Sequence, residues 1–577
     1  MTSIALTHAA SSEFPELTAP VRIEVRGLRV EIERARGRRQ TLLSDLSFVM
    51  EPGELVAIVG GSGAGKTTLL NCLAGVRPVG PGMVRYNGGD LAANLTNYRT
   101  LFGYVPQDDI VHRELTVERT LHYAARMRLA GMEPYDRKER VERAMAVLGL
   151  ASHATQKVSS LSGGQRKRTS IGAELLTDPG VFFLDEPTSG LDPATGQDMM
   201  HQLKQLTQRG STVVVTTHAP SDIATCDRVV FLARGGHLAF TGTPGEALRY
   251  FEAPSFEAIY ARLVGEESPA AWSSKFRASE HFREPAPLAG QPTPRARRRT
   301  GLVHQSVVLT QRNFEILMRN RLTLAILAGA PAMVIAMFAI LFRPGAFDLA
   351  DPSPQAAVMI LFWVAFGGFF FGLTYGLLQI CTEFSIYHRE RLVNLRVGPY
   401  VLSKMAVLVP LMVVVVVLMV AVLRALNRLP SDSFVDVYIP VTITLLLDGL
   451  AAIALGLFAS AAVSRPEQAT LVLPMLCFPQ VLFSGAILPV PLMAPVGKVI
   501  SYAMSDRWAF DALGKSIDLN RLFAEGTSPL GPPLLAQYED TFSGGLAVDW
   551  FVMAGMTVFF LAATCVVLAR KRTSFSV

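Results

Sequence analysis

The sequence predicts an α/β domain followed by an all-α six-helix transmembrane domain. Three observations carry that prediction. Half of the 577 residues are apolar, and the excess is concentrated in 322–569, while 1–300 is mixed and charged. A strand pattern, a glycine loop and a helix pattern follow one another at 55–75. Six apolar stretches come later, each long enough to cross about 30 Å of hydrocarbon. Mean hydropathy is +0.32, high for a soluble chain.

The α/β part begins with LVAIVGGSGAGKTTLLNCLAG (55–75). Gly60, four residues, then Gly65-Lys66-Thr67 is the spacing of a phosphate-binding P-loop. Backbone N–H groups of Gly60, Gly61, Ser62, Gly63, Ala64 and Gly65 are expected to wrap the phosphates of ATP. The helix that starts near Lys66 turns its positive end toward them. Lys66 is expected on the β- and γ-phosphates, Thr67 on Mg²⁺, and Thr68 beside it. GVFFLDEP (180–187) reads as a central strand ending in two carboxylates. Asp185 is the candidate that orients Mg²⁺, and Glu186 the candidate general base for the attacking water. STVVVTTH (211–218) is a third strand pattern, placing His218 near the γ-phosphate. Gln107, in FGYVPQDD, is expected to reach Mg²⁺ and water. The catalytic set is thus Glu186, His218 and Gln107, and the metal set Thr67, Gln107 and Asp185.

A second small-residue cradle, LSGGQ at 161–165, has no lysine. The order of P-loop, Gln107 loop, LSGGQ, LDEP, SGLD (189–192) and His218 resembles the ATP-binding cassette (ABC) ATPases. That resemblance implies an ABC ATPase fold and a head-to-tail dimer. Ser162, Gly163, Gly164 and Gln165 of one chain would close over ATP held by Lys66 of the other, with Asp192 also in the nucleotide site. The expected partner is a second copy of the chain; a heterodimer with a sister chain is the alternative. Phe48 is the only aromatic residue in 21–50 and is expected in the core, so adenine lacks an obvious aromatic platform.

The six apolar stretches lie near 322–342, 356–380, 402–423, 436–463, 468–490 and 549–569. Arginines precede the first, follow the second (Arg389, Arg391, Arg396) and end the last (Arg570, Lys571, Arg572). The positive-inside rule therefore puts both termini in the cytosol. The run Arg295, Arg297, Arg298 and Arg299 is expected to serve as a topology anchor, with binding of acidic lipid headgroups as the alternative. The net charge of +6 reflects this membrane-edge clustering, and no nucleic-acid partner is expected. No signal-peptide pattern opens the sequence. The five cysteines lack CxxC spacing and read as small apolar residues.

Cassette first and six spans second resembles the ABCG-type (ABC-2) half-transporters. So do TTHAPS (216–221), FTGTPGEALRYF (240–251), the basic loop 383–405 and LFSGAILP (482–489). The LSGGQ wording and the cysteine-free loop 491–548 are closer to bacterial members, which implies a plasma (inner) membrane location. The expected layout is a tail 1–20, a nucleotide-binding domain 21–250, a linker 251–300 and an ABC-2 type domain 301–577. The resemblance implies an ATPase coupled to export of an apolar or amphipathic molecule: a lipid, lipid-linked glycan or drug-like compound. A lipid-extracting or mechanotransmitting machine working with a partner is the alternative. Phe369, Phe370, Tyr375, Phe478 and Phe483 are the candidate cavity lining, and 383–405 the candidate transmission helix. A helix within 496–516 is expected to be amphipathic and re-entrant. Gly368, Gly372 and Gly376 form one helical ridge suited to close packing. Asp448 stands inside the fourth stretch, where a carboxylate costs about 3 kcal/mol to insert. A proton or substrate path, and a protonated group bonded to a neighbouring helix, are equally open for it.

Overall fold

The computed structural model describes residues 21–34, 38–265, 267–286, 300–393, 395–430 and 434–571. The tail 1–20, the run Arg295 to Arg299 and Arg572 lie outside the described residues. The chain divides into two units, residues 1–300 with 392–394, and residues 301–391 with 395–577.

The first unit is built on one ten-stranded sheet in the order β5-β4-β1-β2-β10-β9-β3-β8-β7-β6. The strands are β1 (Ile23–Arg34), β2 (Arg38–Met50), β3 (Leu55–Gly60), β4 (Met83–Tyr86), β5 (Gly89–Asp90), β6 (Phe102–Val105), β7 (Val181–Asp185), β8 (Thr212–Thr217), β9 (Arg228–Ala233) and β10 (His237–Gly242). β3, β8, β7 and β6 are parallel neighbours. β3, β7 and β8 are buried along their whole length, which is why LVAIVG, VFFLD and TVVVTT read as continuous rather than alternating apolar runs. β1 pairs antiparallel with β2 and β4. Phe48 lies in the core.

Helices α1 (Lys66–Leu73), α2 (Val117–Arg128), α3 (Gly163–Leu175) and α4 (Pro193–Gln208) connect these strands. Their starts are written in the sequence. Thr116 accepts a hydrogen bond from the Arg119 N–H at the head of α2. Ser162 and Gln165 close a reciprocal capping box at the head of α3. Asp192 caps α4, with Pro193 in its first turn.

The expected linker 251–300 is corrected in its first part. Residues 256–265 and 269–278 form helices α5 (Phe256–Gly265) and α6 (Pro269–Ala278). Ile259 and Leu263 on α5, and Trp272 and Phe276 on α6, enter the same core as β9 and β10. Each pair is spaced i, i+4, so one short apolar stripe per helix is enough to bind it to the sheet. The polar and proline-rich flanks concealed these stripes.

In the second unit the principal helices are α7 (Leu302–Arg319), α8 (Arg321–Leu341), α9 (Pro354–Leu377), α10 (Phe384–Val393), α11 (Val397–Ala425), α12 (Ile439–Ala462), α13 (Pro466–Phe483), α14 (Ser505–Ile517) and α15 (Ala547–Arg570). Among the described residues, four helical stretches are long and apolar enough to cross a membrane: Pro354–Leu392, Val397–Ala425, Asp436–Ala462 and Ala547–Arg570. α8 and α13 occupy the first and fifth expected positions as helices, α13 with Pro474 and Pro479 inside it.

The glycine ridge of α9 packs against α12. A Cβ on Gly372 would lie 2.4 Å from the Gly449 carbonyl oxygen, and one on Gly376 would lie 2.5 Å from the Ile453 oxygen. Gly456 approaches the Leu373 oxygen in return. These are backbone contacts, which cannot swing aside as a side chain can. Gly372→Val is therefore expected to destabilise the membrane unit by about 3 kcal/mol through overpacking, read as a lower melting temperature in detergent with nucleotide binding retained.

α10 is held by ion pairs. Arg312 of α7 forms a two-pronged pair with Glu390, and Lys404 of α11 pairs with Glu383 just ahead of α10. Asn313 donates to the Ser403 hydroxyl at 3.0 Å beside them. α14 differs from the expected amphipathic helix. Ser505, Asp506, Arg507, Ala509 through Gly514 and Ser516 are buried, so its polar side chains face protein rather than water.

Candidate functional site

The C-terminal ends of β3, β8, β7 and β6 lie side by side, and the sequence-predicted residues stand on them. Asp185 on β7 is in register with Thr216 on β8, and Val59 on β3 with Thr217. Chain reversal after parallel strands leaves a crevice at these ends.

At β3 the loop turns through Gly63 at φ 75° and Gly65 at φ 94°. A Cβ on Gly65 would meet the Leu42 oxygen at 2.7 Å, whereas Gly61 and Gly63 face open space. The loop is therefore packed on one side and bare on the side a phosphate would approach. Lys66 Nζ bends over the loop and donates to the Gly60 oxygen at 2.9 Å and the Gly61 oxygen at 3.3 Å. Burial lowers the Lys66 pKa, while Glu186 and Asp185 oppose that shift.

Thr67 Oγ1 donates to Asp185 Oδ1 at 3.2 Å, and Thr216 Oγ1 donates to the same oxygen at 2.5 Å. Thr216 Oγ1 also accepts from the Glu186 N–H at 2.9 Å. Glu186 adopts φ 45°, a left-handed conformation uncommon for a non-glycine residue and often found where function imposes it. Its carboxylate is gripped from two sides. Gln107 Nε2 donates to Oε2 at 3.1 Å, and His218 Nδ1 is 3.5 Å from Oε1.

Thr67, Asp185 and Gln107 supply hydroxyl, carboxylate and amide oxygens. Among the described residues no three acidic, histidine or cysteine side chains make a self-sufficient metal site. A few hard oxygen donors beside a phosphate loop fit Mg²⁺ shared with a nucleotide.

The signature residues stand elsewhere on this chain. Ser162 accepts from the Gln165 N–H at 3.3 Å, and Gln165 Oε1 accepts from the Ser162 N–H at 3.0 Å. Gly164 packs against Thr195 and Leu191, and Gly163 lies near Leu191. Ser162 and Gly163 are exposed. None of these contacts reaches the P-loop. The Asp192 carboxylate accepts from the Thr195 N–H at 3.0 Å, and that bond holds its pKa below the usual carboxylate range.

Four supporting residues escape a motif search. Thr216 ties Asp185 to Glu186. Lys167 Nζ donates to the Pro106 and Gln107 carbonyl oxygens at 3.0 and 2.7 Å, fixing the Gln107 loop. Asp222 accepts from both Thr188 and Thr217, bracketing the segments that follow Glu186 and precede His218. His153 Nε2 lies 3.1 Å from Gln165 Nε2. Hydroxyls and lysines of this kind are common in any sequence, and only the strand register shows which of them converge.

The five candidate cavity residues differ in how far the chain covers them. Phe369 and Tyr375 are buried, and Phe369 packs with Leu373 and Ala452. Phe370 and Phe483 are half-buried, and Phe478 is exposed.

Comparison with known proteins finds matches in both parts of the chain. The ABC transporter family model matches residues 43–189, and the ABC-2 type transporter model matches residues 304–517. The ABC transporter ATP-binding/permease protein Rv1747 of Mycobacterium tuberculosis is 32% identical over 88% of this chain and 59% of its own length. The chain belongs to the ABC transporters. Within that family it is similar to ABC transporter G family member 1 of Arabidopsis thaliana, 38% identical over 38% of this chain and 30% of the relative. It is also similar to the rat broad substrate specificity ATP-binding cassette transporter ABCG2, 40% identical over 37% of this chain and 34% of the relative. The matches thus span from about a third to 59% of these relatives' own lengths. This ABC transporter is an integral membrane protein with its cassette N-terminal to an ABC-2 type membrane unit.

Proposed function

We propose that the chain is one half of a homodimeric, ATP-hydrolysing exporter for apolar or amphipathic molecules. The observation that carries the catalytic part is the Glu186 carboxylate, held between Gln107 and His218 beside the Thr67–Asp185 pair.

In this reading the P-loop N–H groups and Lys66 bind the β- and γ-phosphates of ATP. Glu186 accepts a proton from the water that attacks the γ-phosphorus, and the products are ADP and phosphate. His218 and Gln107 keep the carboxylate aimed at that water. Thr67, Asp185 and Gln107 would hold Mg²⁺, which when bound neutralises charge on the phosphate oxygens. The exposed Ser162–Gly163 turn completes the site of a second copy, its N–H groups supplying a helix N-terminus to the γ-phosphate.

Six spans, near the positions of α8, α9, α11, α12, α13 and α15, would enclose the path of the cargo with those of the partner copy. α10, clamped by Arg312–Glu390 and Lys404–Glu383, is where cassette movement enters the membrane unit. Phe370, Phe478 and Phe483, which the chain leaves partly or fully uncovered, are the residues free to meet cargo.

The test is ATPase activity of the full chain in lipid nanodiscs, across lipids and apolar amphiphiles. Stimulation by one of these classes supports export and identifies the cargo class. A rate indifferent to all of them removes the proposed cargo.

A further inference from the structure

Two carboxylates are sealed inside the membrane unit. Asp448 on α12 and Asp506 in the first turn of α14 are each 0% exposed. The two helices are in contact, and the Asp448 charge acts on the Asp506 carboxyl. All four carboxylate oxygens lack a hydrogen-bond partner. The Ser505 hydroxyl, also buried, lies toward Asp448 without closing a hydrogen bond.

Among the described residues, no cation is paired with either carboxylate. On α9 the Gly368 Cβ position lies 3.8 Å from Asp448 Oδ2. On α13 the neighbours are Cys477 and Gln480, and Gln480 Oε1 accepts from the Asp506 backbone N–H at 3.0 Å. On α14, Arg507 turns away. Its guanidinium lies 3.7 Å from Asp511 and over the Tyr502 and Trp508 rings at 4.2 and 4.5 Å. Further along, Lys515 is bound to Asp549 of α15 at 2.7 Å. No third acidic, histidine or cysteine side chain joins the pair into a metal site among the described residues.

Two interacting carboxylates in a dry interior cannot both be charged. A single proton resolves the conflict. It lets one carboxyl donate to the other and leaves one negative charge, which the N-terminal end of α14 favours. We propose that Asp448 and Asp506 form a proton-binding site in which one shared proton joins α14 to α12. Loading takes one proton from solvent onto the pair, and unloading returns it and leaves two repelling carboxylates that separate the helices.

The folded chain then holds a proton that the unfolded chain has released. Stability is highest in acid and falls as pH rises above the ordinary carboxylate range. The unfolding constant should rise by up to about tenfold per pH unit from this pair.

The experiment uses the full chain in nanodiscs, with Asp448→Asn and Asp506→Asn separately. Asparagine has the shape of the neutral acid, so both variants should fold. Infrared difference spectra of wild type against each variant should show one protonated-carboxyl band that shifts in heavy water. Either single substitution should remove that band completely, because the remaining carboxylate gains an amide donor and needs no proton. The melting temperature of wild type should fall with rising pH, and that of each variant should fall less. A band that persists in either variant would mean two independent acids and overturn sharing. No band in wild type, with stability raised by added sodium or magnesium ions, would overturn the proton in favour of a cation. An unchanged pH dependence in both variants would also sink the proposal.

Discussion

Glu186→Gln is expected to bind ATP as wild type does and to hydrolyse it at least about 100-fold more slowly, the contribution typical of a positioned general base. The substitution keeps side-chain size and leaves the backbone bond from the Glu186 N–H to Thr216 intact. It removes the charge that accepts a proton. ATP binding rests on other groups, the loop N–H donors and Lys66. The measurement is phosphate release beside nucleotide binding on the same preparation. Hydrolysis at the wild-type rate would take the base role from Glu186 and leave His218 as the next group in line, since its Nδ1 lies 3.5 Å from that carboxylate.

Gly163→Asp is expected to leave ATP binding to the chain's own P-loop unchanged and to lower hydrolysis by about 100-fold, the scale seen when a transition-state donor is lost. A carboxylate at this exposed turn would meet the γ-phosphate with like charge. The decisive form of the test mixes two inactive chains, one with Gly163→Asp and one with Lys66→Ala. If each site joins the P-loop of one chain to the signature of the other, every mixed dimer regains one intact site. Equal mixing makes roughly half of the dimers mixed, since the two-fold interface uses the same patch on both copies. If the signature served its own chain, no combination would be active. Recovery on mixing therefore supports the shared site, and continued inactivity in dimers proven to be mixed rules it out.

Much of the nucleotide site is legible in the sequence because its parts are local. A P-loop needs glycines at fixed offsets to reach left-handed conformations such as those of Gly63 and Gly65. A buried parallel strand needs an unbroken apolar run, and LVAIVG, VFFLD and TVVVTT are such runs. The capping box of Ser162 and Gln165 is likewise a three-residue relation. The four helical stretches long enough for a membrane are legible for the same reason, since hydrocarbon thickness sets the length of an apolar run.

What escapes the sequence is whatever depends on which elements become neighbours. The stripes Ile259/Leu263 and Trp272/Phe276 look like linker until they meet β9 and β10. How far each aromatic side chain is covered escapes the sequence for the same reason. Phe369 turns into the α9–α12 packing, whereas Phe478 stays exposed on α13, and composition alone treats them alike.

The sequence by itself determined the two-part architecture, the phosphate loop, the carboxylates at the strand ends and the glycine ridge, because each is a pattern along a single strand, helix or turn. Only the tertiary structure decided that Thr216 bridges Asp185 and Glu186, that Lys167 fixes the Gln107 loop, and that Asp448 acts on Asp506. Those relations join residues from 30 to 61 positions apart, and packing, rather than spacing, brings such groups within reach of one another.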